Sequence, residues 1–308
     1  MTATLSPQIV LPAEQWRERR DGHRARVDEL IGPYLRARRR GMRHPVIDFL
    51  FTYYSSRPAH VRRWHPGPGV ALLDADEYLG IRGYHRVGDA VAVDPAYPAT
   101  RAPALAATEA LLRATASRPP RLGCFGLHEW AMVYRTDDIR HDVPLRLGAA
   151  GTDAVVEAMP LRCTHFDAFR FFTDDARPRN EQPLSRDSRL EDEQPGCLHA
   201  TMDLYRACFT LAPLIDSDLT LACFELALRA RELDMRASPY DLRGLGYSPV
   251  PVETPAGRAD YVREQSSIAA DGAVLRDRLA NRCAALSRTA SAQVAAHSAS
   301  STPPRTPV

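Results

Sequence analysis

The sequence predicts a mainly helical α+β protein with a small antiparallel sheet, built as one large domain with a disordered C-terminal tail. Three observations carry this. Apolar residues recur at helical spacing in several segments, most cleanly over 217–235. One stretch, "YLGIRGYHRVGDAVAVD" (78–94), instead alternates and pivots on Gly88-Asp89, a hairpin signal. The end, "RTASAQVAAHSASSTPPRTPV" (288–308), is low-complexity. The expected divisions are a helical, arginine-rich region over 1–65, a main catalytic α+β domain over 66–287, and the tail over 288–308.

In chain order, Trp16, Val27, Leu30 and Ile31 predict an amphipathic helix over 12–31, interrupted at Gly32-Pro33. "HPVIDFLFTYYSSRP" (44–58) reads as a buried second helix, and "RWHPGPG" (63–69) as a loop. After the hairpin comes an alanine-rich helix at about 102–116, stopped by Arg118-Pro119-Pro120. "CFGLHEWAMVYR" (124–135) fits either period. Gly123 and Gly126 weaken a helical start, so a strand is favoured. "LRCTHFDAFRFF" (161–172) alternates more clearly, with Cys163, His165 and Asp167 on one face of a strand.

Residues 174–196 hold seven carboxylates with Pro178, Pro183 and Pro195, and read as a long loop, either a functional lid or a mobile insertion. "GCLHATMDLYRACF" (196–209) is a helix with Leu198, Met202, Tyr205 and Phe209 as its apolar stripe. His199, Asp203 and Arg206 form a polar line beside that stripe. Over 217–235, Ser217 is the expected N-cap and Leu219, Cys223, Leu226 and Ala230 the buried stripe. A last helix is expected at about 260–287.

At 308 residues, 44% hydrophobic and 25% charged, the chain can bury a substantial core. No apolar run approaches the roughly 18–20 residues of a spanning helix, and the first residues show no basic, apolar leader. No membrane partner is expected, and the expected location is cytoplasmic. The six cysteines contain no C-x-x-C pair, which excludes zinc-ribbon and thioredoxin-like motifs. Cys208, Cys223 and Cys283 read as small core residues. The chain has no lysine, so lysine Schiff-base chemistry and a Walker-A lysine are excluded. The net charge is +2, yet residues 1–65 hold 13 Arg against 6 Asp and Glu, a local +7. Arg36, Arg38, Arg39, Arg40 and Arg43 are the densest basic stretch. They read as a phosphate-facing surface or as a solvated arginine face.

Three segments each place a thiol or imidazole near a carboxylate. Cys124 and His128 adjoin Glu129, Cys163 and His165 adjoin Asp167, and Cys197 and His199 precede Asp203. Convergence of such groups is what an acid–base or metal site requires. The expected catalytic set is therefore Glu129, Asp167, His128, His165, His199 and Asp203. Its metal, if it holds one, is not named by any ligand motif, since no H-x-x-x-H pair is present around Glu129. Arg236 and Tyr240, in the turn-rich loop 235–249, are ligand-binding candidates or staples of that loop. "DLRGLGY" (241–247) contains the hairpin pattern of helix–hairpin–helix DNA-binding motifs, but Pro249 and Pro251 forbid the second helix.

The segments "CFGLHEWAMVYR", "RCTHFDAFRFF", "EQPGCLH", "ELDMRASPYDL" and "PVPVET" together resemble a group of actinobacterial proteins labelled 3-methyladenine DNA glycosylase. The resemblance spans roughly residues 44–280. It implies base-excision DNA repair by a monofunctional hydrolase, which cleaves the N-glycosidic bond of an alkylated purine in DNA and needs no cofactor. It carries over no catalytic residue. Under it, Trp130, Tyr134 and Phe166 would hold a flipped cationic base, and Glu129 or Asp167 would activate water. The alternative is an Fe- or Zn-dependent enzyme of small-molecule metabolism using the histidines and carboxylates. A third reading is a non-catalytic nucleic-acid or partner-binding protein.

Overall fold

The computed structural model describes residues 8–300, with side chains through Ser291. It is mainly helical with one four-stranded sheet, as expected, and its largest apolar core draws on residues from Leu11 to Leu286. The N-terminal helical region therefore shares its core with the rest of the chain.

Helix α1 spans Ala13–Arg39 and runs through Pro33, where an interruption was expected. Proline removes one helical hydrogen bond and costs about 3 kcal/mol. Burial of Ile31 and Tyr34 on either side offsets it, helped by the Tyr34 hydroxyl donating to Asp48 at 2.6 Å. The expected helix over 44–58 is two short ones, α2 (Ile47–Thr52) and α3 (Pro58–Arg62), parted where Ser55 takes φ 52°.

The sheet holds β1 (Ile9–Leu11), β2 (Val70–Leu73), β3 (Tyr84–Val87) and β4 (Ala90–Val93), in the order β1-β2-β4-β3. The β3–β4 hairpin turns at Gly88, φ 58°, as its sequence requires. β1 pairs with β2 in parallel, so the sheet is mixed rather than purely antiparallel. Three residues long, β1 gave no alternating pattern to read. The Trp16 indole donates to the Leu73 carbonyl at 2.8 Å, tying α1 to the sheet.

Helix α4 (Tyr97–Thr100) leads into α5, which covers Ala102–Ala116 as expected. The two stretches expected to be strands are not. Residues 124–135 contain helix α6 (Leu127–Ala131), entered through Phe125 (φ 50°) and Gly126 (φ 68°). In 161–172 a single bridge residue, Leu161, precedes the short helix α8 (Phe166–Phe169). Residues 126–134 are all buried, and in 161–172 only Arg162 and Arg170 are exposed, so neither period of two nor of 3.6 cleanly separates an inner from an outer face. Helix α7 (Gly148–Ala158) lies between them.

Residues 174–196 are mostly irregular, with a 3-10 turn at Arg177–Arg179 and helix α9 at Arg189–Asp192. Three long helices follow: α10 (Leu198–Thr210), α11 (Ser217–Arg236) and α12 (Pro255–Ser300). The N-cap of α11 is Asp216, which accepts from the Leu219 amide, rather than Ser217. Ser217 instead accepts from the His65 amide at 2.7 Å, anchoring the loop before β2. Helix α12 starts earlier and ends later than expected, continuing across 288–300, and the rest of the expected tail, 301–308, lies outside the described residues. Cys208, Cys223 and Cys283 are buried core residues, and all six thiols are free.

Candidate functional site

The positive φ angles at Phe125 and Gly126 turn the chain sharply into α6, and Phe125 carries strain that bulky residues rarely tolerate. A methyl group at Gly126 would sit 3.7 Å from Asp234 Oδ1, so the glycine brings backbone close to that carboxylate. The turn directs His128 and Glu129 inward, both buried. His165 arrives as the residue capping α8. His199 and Asp203 lie one turn apart on α10, Arg231 and Asp234 three residues apart on α11, and Glu193 follows α9.

These elements gather two triads: His128, His199 and Asp234, and His165, Glu193 and Asp203. In each, the donor atoms lie within 4.8 Å of one another. His199 joins the triads, its ring centroid 4.5 Å from that of His128 and 5.2 Å from that of His165. In the first, His128 Nε2 and Asp234 Oδ1 form an ion pair at 2.9 Å. In the second, His165 Nε2 lies 3.3 Å from Asp203 Oδ2 and 3.7 Å from Glu193 Oε1.

Electrostatics divides the three imidazoles. Burial resists a charge on His128, but Asp234 overcomes it and the pKa rises. His165 behaves alike: burial lowers it, Glu193 and Asp203 raise it, and the net shift is upward. His199 is pushed well below the usual histidine range by burial and by the neighbouring His128, so it is neutral with a free lone pair. Burial would raise Asp203 and Asp234, but their imidazole and arginine neighbours hold both well below the usual carboxylate range.

Two arginines brace the triads from behind. Arg231 Nη1 donates to Glu129 and Asp234, each at 2.7 Å. Arg189 donates to Glu193 at 2.7 Å and to Asp203 at 3.3 Å. Beside the first triad lies a cavity of about 10 Å³, lined in part by Cys124, Cys163 and Cys197 with His128 and His199. That is room for about one water molecule. Burial raises the pKa of all three thiols, so they are protonated.

Of the six expected catalytic residues, His128, His165, His199 and Asp203 meet here. Glu129 does not face the triads openly, because Arg231 holds its carboxylate. Asp167 points elsewhere, to Arg206 at 3.2 Å and Arg170 at 3.5 Å. Its side chain does not share a face with His165, because α8 turns where a strand was expected. Trp130 is fully buried, with its indole donating to the Ala237 carbonyl at 2.8 Å. The Tyr134 ring lies beneath Arg135 and Arg179, at 4.9 and 5.6 Å. Phe166 is half-buried and lines a separate arginine-rich pocket. Arg236 staples its loop, donating to the Ser248 carbonyl and to Glu264. The Tyr240 ring is buried against His141, 4.8 Å away. Arg36, Arg38, Arg39, Arg40 and Arg43 are all exposed around the end of α1, and Arg38 also donates to Tyr34. Within residues 241–247 lies a 3-10 turn at Arg243–Leu245, with no helix following before α12, so no helix–hairpin–helix is built there.

The sequence reading missed Glu193, Asp234, Arg189 and Arg231. Asp234 had a signal: it stands four residues after Ala230, where the buried stripe of α11 continues. Glu193 had none that set it apart from six neighbouring carboxylates in the same loop.

No family model matches the chain, and no curated protein or solved structure matches it.

Proposed function

We propose that this chain is a metal-dependent enzyme acting on a small molecule, with Fe or Zn held by the buried His/carboxylate triads. The observation that carries the reading is the gathering of buried His128, His199 and Asp234, and of His165, Glu193 and Asp203, with the donor atoms of each set within 4.8 Å of one another. Two donors each about 2.1 Å from one tetrahedral cation stand about 3.4 Å apart, within the spacing of these clusters after small side-chain shifts. Binding of a cation would displace the proton that His128 shares with Asp234 and leave imidazole and carboxylate as its donors. Imidazole and carboxylate suit zinc and iron alike, His199 being already neutral and His128 and His165 giving up their protons to the cation.

His128, His199 and Asp234 would hold one cation and His165, Glu193 and Asp203 a second. Three protein ligands each leave a position open, as catalytic sites require. Such a cation supplies Lewis acidity and a water acidified towards neutral pH. The chain's own residues do the rest. Arg231 and Arg189 orient the ligating carboxylates, the strained Phe125–Gly126 turn fixes His128, and the surrounding apolar core excludes bulk water.

Elemental analysis of the purified protein tests this. One to two equivalents of zinc or iron are expected, with Asp234→Asn and Asp203→Asn each losing part of that content. Protein that stays metal-free after titration with Zn²⁺ and Fe²⁺ would refute the reading.

A second proposal is the glycosylase activity that the resemblance implies. Its support is an arginine-lined pocket holding Phe166 and Asp167, an aromatic ring and a carboxylate beside groups able to take a phosphate. Release of 3-methyladenine from alkylated DNA by metal-depleted protein would favour it over the metal enzyme.

A further inference from the structure

A second cavity, of about 210 Å³, is lined by Tyr53, Phe166, Asp167, Arg170, Arg186, Arg189 and Arg206. It is smaller than the roughly 300 Å³ at which pockets for drug-sized ligands begin, so it fits a substituent or a very small molecule. Four guanidiniums face one carboxylate, a lining charge of +3. A cleft lined by one sign of charge focuses the field and concentrates counter-ions there.

The arginines are held in distinct ways. Arg206 and Arg170 share Asp167. Arg170 also lies over the Phe171 ring at 4.5 Å. Arg186 lines the hollow with no ion-pair partner among the described residues, its donors free. The Tyr53 hydroxyl, at the same wall, is buried without a hydrogen-bond partner. Arg189 is the shared wall: it lines this hollow and also binds Glu193 and Asp203 of the second triad. Counting those two carboxylates as well, the region still carries +1.

We infer that this pocket binds the phosphate of a small phosphomonoester, placing the rest of that molecule towards the second His/carboxylate triad. Guanidinium forks match the tetrahedral oxygens of phosphate with paired hydrogen bonds. A phosphomonoester carries about −1.5 to −2 at pH 7, which suits the +3 of the pocket lining better than a carboxylate's single charge. As a substrate subsite the pocket rests on the metal-enzyme reading. As an anion site it stands on its own lining.

Calorimetric titration of the full-length protein with inorganic phosphate tests the site, alongside acetate and an oligonucleotide lacking a terminal phosphate. Metal content is measured on the same samples. Phosphate is expected to bind more tightly than acetate, and Arg186→Ser and Arg206→Ser are each expected to weaken it about tenfold or more. Their metal content should match the wild type. Arg186 is exposed and makes no internal pair, so its variant folds even if that of Arg206 does not. Phosphate affinity indifferent to Arg186→Ser would overturn the assignment, as would acetate binding as tightly. An oligonucleotide that displaces phosphate would assign the pocket to a nucleic-acid backbone and overturn the small-molecule reading. Protein that binds phosphate as expected but takes up no metal would refute the metal-enzyme proposal and leave the anion site standing.

Discussion

Arg231 is the residue whose removal should most disturb the interior around the first triad. Its side chain is 1% exposed, and one nitrogen, Nη1, is 2.7 Å from both Glu129 and Asp234. Its guanidinium also lies 4.2 Å from the Phe49 ring centroid. In Arg231→Met the aliphatic volume is roughly kept and the charge is lost. Asp234 keeps His128, but Glu129 keeps no ion-pair partner among the described residues and stays buried at 3% exposure. Breaking a buried ion pair from one side costs about 3–5 kcal/mol. With about 2.1 cal/mol/K of unfolding entropy per residue, a chain of 308 residues shifts its melting temperature by about 1.5 °C per kcal/mol. Arg231→Met should therefore melt about 5–8 °C below wild type. Adding Glu129→Gln should recover part of that loss, because the stranded charge goes with it. Thermal melts followed by circular dichroism check both. A single variant melting within about 2 °C of wild type, or a double variant melting below the single, would show that Glu129 and Arg231 are not coupled as the geometry requires.

His65 is buried against Tyr84, and burial, aided by Arg63, pushes its pKa down to about 3. The unfolded chain, with its histidine near pKa 6.5, binds the proton first. The stability His65 contributes by staying neutral is thus full above about pH 6.5 and is lost as pH falls towards 3. Between pH 7 and 5 the loss is roughly 2 kcal/mol. Urea unfolding of wild type and His65→Gln should show their stability difference shrinking by about that amount, and parallel curves would count against it. Arg276 is 1% exposed and none of its guanidinium nitrogens meets an acceptor among the described residues. Burial lowers its pKa. Arg276→Met should raise the melting temperature by a few degrees, since an unpaired buried charge costs more than a packed thioether. A fall would mean that an anion or water network satisfies the guanidinium.

Sequence by itself determined the elements whose two faces differ. The α10 and α11 stripes and the alanine-rich α5 set apolar against polar positions, which periodicity reads directly, and the hairpin was marked by its Gly88-Asp89 turn. It also determined which residue types the site would use. His199 and Asp203 stood out because a polar line ran beside an apolar stripe. Only tertiary structure decided the rest. Segments 124–135 and 161–172 are mostly buried, with only Arg135, Arg162 and Arg170 exposed, so their patterns gave no clear phase, and the left-handed turn at Phe125–Gly126 became visible only in three dimensions. Tertiary structure also chose between like carboxylates. Glu129 and Asp167 sit beside the histidines in sequence, but arginines from α11 and α10 hold them. Asp234 and Glu193, distant from those histidines in sequence, take the places beside the imidazoles. Pairing of charges in the interior depends on distance through space, and a single sequence records only distance along the chain.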